Sequence, residues 1–426
     1  MTTDARTQLP EIVDLAALGD DFTRDPYPVY ADLRARGPVH RVRLPSGAEA
    51  WLVVGYDAAK ATLTDPRLSK DWDNAAPELG LMPVASGRHM LATDPPDHAR
   101  LRRLVAKEFT ARRIEALAPR VQQMTDYLLD EMLARPDGRA DLVDALAYPL
   151  PLGVICELLG VPGLDRERFR RWTDTLVVAH GAPETEAAVA ALTDYLTRLI
   201  DRKRDAPGDD LLSVLIRTTD DDGDRLSGDE LLGMTWLLLI AGHETTANLI
   251  ANGVLALLRH PEQLAALRAD LSLVDEAVEE MLRYDGPVET PTYRFTLEPA
   301  EIGGTVVPGG GQLVLPVLAD ADRDPARFPA PDRFDIRRGR SGDGERPGGR
   351  GHLAFGHGVH YCLGAPLARL EARIALRSLL ARVPRLSLDA APETLPWRGG
   401  LLIRGPERLP VRWADGPQVP AESVPR

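Results

Sequence analysis

One of the two cysteines in this 426-residue chain sits where a sulfur anion could be held and used. Cys362 closes the segment Phe355-Gly356-His357-Gly358-Val359-His360-Tyr361-Cys362, and Leu363-Gly364-Ala365-Pro366 follow it. Proline is favoured in the first turn of a helix, so a helix is expected to begin just beyond the sulfur. Unpaired N–H groups and the positive end of the helix dipole favour a thiolate there, the form that ligates metals. Glycines such as Gly356 and Gly364 let the backbone approach a flat ligand, and Phe355 can screen the sulfur from water. A lone cysteine is more often a buried apolar side chain, and Cys156, within the apolar run 154–160, reads that way. Two cysteines make neither a disulfide framework nor a multi-cysteine metal site.

A second constellation, Ala241-Gly242-His243-Glu244-Thr245-Thr246, lies midway along an apolar run. Ala241 and Gly242 are small enough for a flat ligand to press on the helix, while the acid Glu244 and the hydroxyl of Thr245 can relay protons. A threonine in mid-helix can equally bond back to a carbonyl and bend the helix. His243-Glu244 also opens a zinc-protease spacing, but the required second histidine is Ala247, so zinc is excluded. Glu280 and Arg283, three apart, share a helix face and can pair.

These groups need positioning elements. Ser227 and Glu230 form a capping box and His260-Pro261 ends the run, which predicts one helix of about 30 residues and ~45 Å. Residues 26–37 read as a short helix stopped by Gly37, and 39–44 and 50–54 as a hairpin around Pro45-Ser46-Gly47. Residues 71–93 lack a period and read as a long loop. From 97 to 201 the pattern is mainly helical, broken at Pro119, 136–138, 149–151 and Pro162-Gly163. Helix resumes over 261–284, short strands fill 288–318, and a last helix spans 365–381. The segment 339–351 is low-complexity and is expected to be a mobile insertion. The sum is a mainly α fold with a minor β portion, read as one domain over 1–426 with a flexible arm (1–20) and tail (415–426).

A net charge of −13 argues against nucleic-acid binding, which needs a basic footprint. Only four basic residues are lysine, so positive charge rests on arginine, which suits carboxylate recognition. The run 231–258 is interrupted by Gly242, His243, Glu244, Asn248 and Asn252, a costly set for a bilayer, and reads as buried. Few cysteines and no apolar leader in residues 1–10 lead us to expect a reducing cytoplasm.

The ordered Phe, Gly, Gly, His, Cys, Gly spacing of 355–364 resembles the haem-binding signature of the cytochrome P450 family. The likeness runs from about Phe22 to Trp413, through 51–57, 241–253 and 352–373. It implies the P450 fold, with haem b between the long helix and the cysteine loop, and with Cys362 as the iron ligand, whose donation favours O–O cleavage. Phe355, Gly356, Gly364, Ala241 and Gly242 would then touch the cofactor, and Glu244 and Thr245 would deliver protons to bound O2, with Thr246 behind them. His98, Arg102, Arg294 and His360 would meet the haem propionates. Glu280, Arg283 and Arg333 would form a structural trio.

The resemblance also implies electrons from NAD(P)H through a ferredoxin reductase and a ferredoxin, docking on Arg100, Arg102, Arg103, Lys107, Arg112 and Arg113. The likeness is greatest to bacterial hydroxylases that tailor macrolides and other polyketides in secondary metabolism. It implies hydroxylation or epoxidation of a bulky, largely apolar natural product by a monomeric enzyme. Expected substrate contacts are Met90, Leu91, Val177, Ala241, Val288, Thr292, Leu401 and Leu402. Glu78 is the only glutamate in the 72–93 loop, so a cationic sugar anchor is not expected there. The competing readings are a peroxide-driven haem-thiolate enzyme and a haem sensor without turnover.

Overall fold

The computed structural model describes residues 12–79, 87–162, 169, 171–173, 175, 183–218, 224–340 and 351–413. Val177, most of the 339–351 insertion and the 415–426 tail lie outside the described residues.

Two helices occupy the centre, Gly228–Ala241 and Glu244–Arg259. The first opens on the expected capping box: Ser227 Oγ accepts from the Glu230 amide at 3.2 Å, and Glu230 Oε2 accepts from the Ser227 amide at 2.8 Å. The expected single helix is broken at Gly242-His243. The Thr245 hydroxyl donates to the Ala241 carbonyl at 3.0 Å and His243 Nδ1 binds the Leu239 carbonyl at 2.8 Å. Side chains thus take carbonyls that the ladder would otherwise use, which is a recognised cause of helix breaks. The second helix is buried along most of its length and packs on Pro149–Leu158, Val143–Ala147, Val274–Asp285 and Ala365–Arg382. These elements enclose the main aliphatic core.

The helical pattern breaks at Pro119 and Pro149 as expected, and each proline sits in the first turn of the helix that follows, Ala118–Leu133 and Pro149–Leu158, where the missing N–H costs nothing. The 261–284 stretch divides into Pro261–Ala269 and Val274–Asp285, because the Asp270 carboxylate accepts from the Ser272 amide and caps a tight turn. The last helix, Ala365–Arg382, is as expected.

The β portion is a six-stranded sheet in the order Val13–Asp14, Val39–Arg43, Glu49–Val53, Leu313–Pro316, Arg294–Thr296, Leu68–Ser69. Val39 pairs with Val53 in the expected hairpin, Trp51 pairs in parallel with Val314, and Leu68 pairs with Thr296. This sheet sets Arg294 beside the end of the Leu68–Ser69 strand. Within the 1–20 segment, expected as a flexible arm, Val13 pairs with Val42 and a helix starts at Gly19. Farther along, the Arg404 guanidinium donates to the Thr23 carbonyl at 2.8 Å, the Arg24 carbonyl at 2.7 Å and Asp285 Oδ1 at 2.9 Å.

Glu280 and Arg283 form a two-bond pair at 2.7 and 2.8 Å, both buried. Their expected third member is corrected. Arg333 gives only its carbonyl, at 3.2 Å from Arg283, and its side chain is 69% exposed. The side chain that reaches Glu280 is that of Arg338, at 3.1 Å. Among the described residues no helix is long and apolar enough to cross a membrane.

Candidate active site

The cysteine loop turns on two glycines with positive φ, Gly356 at 71° and Gly358 at 76°. At Gly358 a Cβ would also lie 2.6 Å from Thr64 Cγ2, so no other residue fits without displacement. The Cys362 amide donates to the Phe355 carbonyl at 2.9 Å and closes the loop. Arg369, from the helix that follows, lies 4.5 Å from the Phe355 ring centroid. Its guanidinium is fixed on Glu279 by bonds of 2.5 and 2.9 Å, with His352 on the same carboxylate at 3.2 Å.

Cys362 is exposed at the loop surface, while its sulfur lies against the helix start, 3.9 Å from where a Gly364 Cβ would be. Desolvation pushes its thiol up. The Gly364 and Ala365 amides and the Arg102 and Arg369 charges pull the other way without winning. The amides therefore face the sulfur as expected, but a bound metal ion must complete its ionisation. Among the described residues no group of three His, Cys, Asp or Glu could hold an ion.

A cluster of cations converges nearby. His98, on the helix Asp97–Ala106, packs against His360 with ring centroids 4.2 Å apart and planes tilted by 52°. Arg102, one turn on from His98, donates to the Tyr361 carbonyl at 2.8 Å. Arg294 is buried, and burial holds its guanidinium down to about 10. Burial, then the charges of His98, Lys70, Arg294 and Arg102, push His360 down to about 2. All four expected propionate partners thus share one site. Sequence reading missed Lys70 and His89, both buried there. Each is an isolated basic residue in its local sequence, with no spacing to mark it.

This set fits a dianionic cofactor. Lys70, Arg102 and Arg294 bring three positive charges and Asp94 brings one negative, so two more carboxylates would balance it. His98 Nε2 and His89 Nδ1 are buried without hydrogen-bond partners, an unfavourable state that a carboxylate acceptor would relieve. Haem, with two propionates and an iron that a single thiolate would ligate, matches this arrangement.

Across the site, Ala241 is exposed and Thr245 half-buried at the helix break, whereas Glu244 is 2% exposed and turns inward. Its carboxylate lies 3.6 Å from His243 Nε2. Gly242 serves packing as well: a Cβ there would come within 2.9 Å of Ile155. Of the expected substrate contacts, Val288, Leu401 and Leu402 are brought together. Val288 bridges Ile403, and the Thr290 amide donates to the Leu401 carbonyl at 2.8 Å. Met90 is buried and its amide faces Met234 Sδ at 3.4 Å, with Leu91 half-buried beside it. Thr292 is half-buried, with its carbonyl and hydroxyl both accepting from Lys70.

Residues 176–402 match the family model "Cytochrome P450". The chain is 59% identical over 415 residues to cytochrome P450 monooxygenase PikC of Streptomyces venezuelae, covering 97% of each. It is 47% identical over 406 residues to 6-deoxyerythronolide B hydroxylase of Saccharopolyspora erythraea, covering 92% of this chain and 97% of that one. The solved tirandamycin C-bound P450 monooxygenase TamI superposes with a TM-score of 0.85 at 44% identity, over 94% of this chain and 100% of that one. The chain belongs to the cytochrome P450 family. It is a haem-thiolate monooxygenase that takes haem b, O2 and electrons passed from NAD(P)H through redox partners, and acts on a small molecule.

Proposed function

We propose that the chain hydroxylates or epoxidises a bulky, largely apolar natural product of the macrolide or polyketide type. The observation that carries the reading is the cation cluster beside the Cys362 loop, whose excess charge two carboxylates would balance. The relatives' names support the substrate class, as PikC, a deoxyerythronolide hydroxylase and a mycinamicin IV hydroxylase/epoxidase are among them. Val288, Leu401 and Leu402 offer apolar surface, and Leu91 and Ala241 add to it. Glu78 is the only glutamate of the 72–93 loop, which supports a neutral rather than a cationic substrate.

In this reading Cys362 ligates iron, with Phe355, Gly356 and Gly364 shaping the loop around it. His98, Arg102, Arg294 and His360 would hold the propionates, and the small residues Ala241 and Gly242 would leave room for the cofactor. Haem, when bound, supplies dioxygen activation at an iron whose thiolate favours O–O cleavage. Thr245 then holds a proton at Oγ1, resting on the Ala241 carbonyl and able to rotate toward the site. Glu244, one position earlier and buried, stands behind it as the proton reserve, which it can supply only by reorienting.

Arg103, Lys107 and Arg112 are exposed, which supports ferredoxin docking near the cysteine face. Arg100 is not part of that surface, since it pairs with Glu230 and Asp224. We place the enzyme in the cytoplasm as a monomeric single domain served by ferredoxin and its reductase. The test is spectroscopic: the reduced protein under carbon monoxide should show the thiolate-type Soret band, and Cys362→Ser should lose band and turnover. A histidine-type band in the unmodified protein would overturn the ligation.

A further inference from the structure

Lys70 follows the strand Leu68–Ser69 and is 3% exposed. Its ammonium donates to the Thr292 carbonyl at 2.7 Å, the Tyr293 carbonyl at 2.7 Å and the Thr292 hydroxyl, which uses all its hydrogens. The same Thr292 oxygen accepts from Arg294 Nη1 at 3.4 Å, so two buried cations share one neutral acceptor. Among the described residues, neither cation has a carboxylate within ion-pair distance. The nearest acid, Asp94, commits Oδ1 to the Lys70 amide at 2.8 Å and Oδ2 to the Ser69 hydroxyl. Burial holds the Lys70 ammonium well below its ordinary range, and Arg294 adds repulsion. Buried charges are retained where a partner compensates them.

We propose that Lys70 is a positioning residue of the cofactor site. It pins the Thr292–Tyr293 backbone so that Arg294 faces the haem carboxylates, and its charge favours the ferrous over the ferric haem. The inference rests on the haem reading above. Reduction adds one electron from the redox partner to iron, so a fixed positive charge nearby stabilises the reduced form. No proton need move and no bond need break.

Lys70→Gln keeps a donor for the two carbonyls and removes the charge; Lys70→Met is a second neutral replacement should the amide not be accommodated. The purified holoenzymes are equilibrated with a redox dye and the ferrous fraction is read from the visible spectrum. At a fixed solution potential the ferrous-to-ferric ratio should fall about fivefold or more in each neutral variant. Lys70→Arg should stay near the unmodified enzyme. An unchanged ratio in either neutral variant, with the thiolate carbon monoxide band intact, overturns the inference. Absence of that band from the unmodified protein would instead overturn the haem-thiolate reading.

Discussion

Gly242 rests directly against Ile155: a Cβ at position 242 would come within 2.9 Å of Ile155 Cδ1 and Cγ1, and within 2.6 Å of the Leu238 carbonyl oxygen. The small residue at the helix break is thus demanded by the helix behind it.

Gly242→Ala should therefore destabilise the protein by about 2 kcal/mol through overpacking. Adding Ile155→Ala should return part of that loss, since it removes two of the three close contacts. Denaturant unfolding of the single and double variants measures the coupling. Strictly additive losses would mean that the two side chains do not compete for space.

The corrected trio makes a contrast. Arg338→Ala strips a guanidinium from the buried Glu280 carboxylate and should cost about 2 kcal/mol, because a buried charge loses a partner. Arg333→Ala leaves its carbonyl in place and should stay within about 0.5 kcal/mol of the parent. Equal losses in urea unfolding would return Arg333 to the trio.

Glu289 gives a pH dependence. It is buried, accepts a hydrogen bond from Tyr30, and burial lifts its carboxyl from 4.5 to about 7, against the charge of Arg404. The folded state then binds more protons than the unfolded state between those values. Its contribution is full below pH 4.5 and is lost as pH rises toward 7, by up to about 3 kcal/mol. Glu289→Gln should remove this component. Asp320 and Asp322 shift in the same sense, so the readout is the difference between parent and variant unfolding free energies at pH 5 and 7.5. A difference that does not change with pH would contradict the assignment.

Thr245→Ala should leave substrate binding spectra in place while product formed per reductant consumed drops about a hundredfold, the low end of proton-transfer catalysis. Peroxide-supported turnover should persist. Unchanged coupling would remove Thr245 from proton delivery and favour a peroxide-driven enzyme.

Much of the site was legible because its parts are local. The Cys362 loop declares itself through glycines that need positive φ and a proline that starts the next helix, all within a dozen residues. The hairpin 39–54 and the last helix are similarly self-contained. What escaped depends on distance through the fold. Lys70 and His89 matter only because the sheet carries Arg294 to the end of the Leu68–Ser69 strand. Choosing Arg338 over Arg333 requires knowing which chain turn faces Glu280. The back-bonding that breaks the helix was one of the two readings open for Thr245, but local pattern does not show that His243 joins it on the Leu239 carbonyl.

The grip of Arg404 on the Thr23 and Arg24 carbonyls has a practical side. A guanidinium near the end of the described chain is fastened to the Thr23 and Arg24 peptide groups near its beginning, so the two segments close on each other like a latch. Trimmed versions that start past Asp25 would strand that cation beside Asp285 and forfeit the Val13–Asp14 strand. Affinity handles belong upstream of residue 12, where they leave the latch shut.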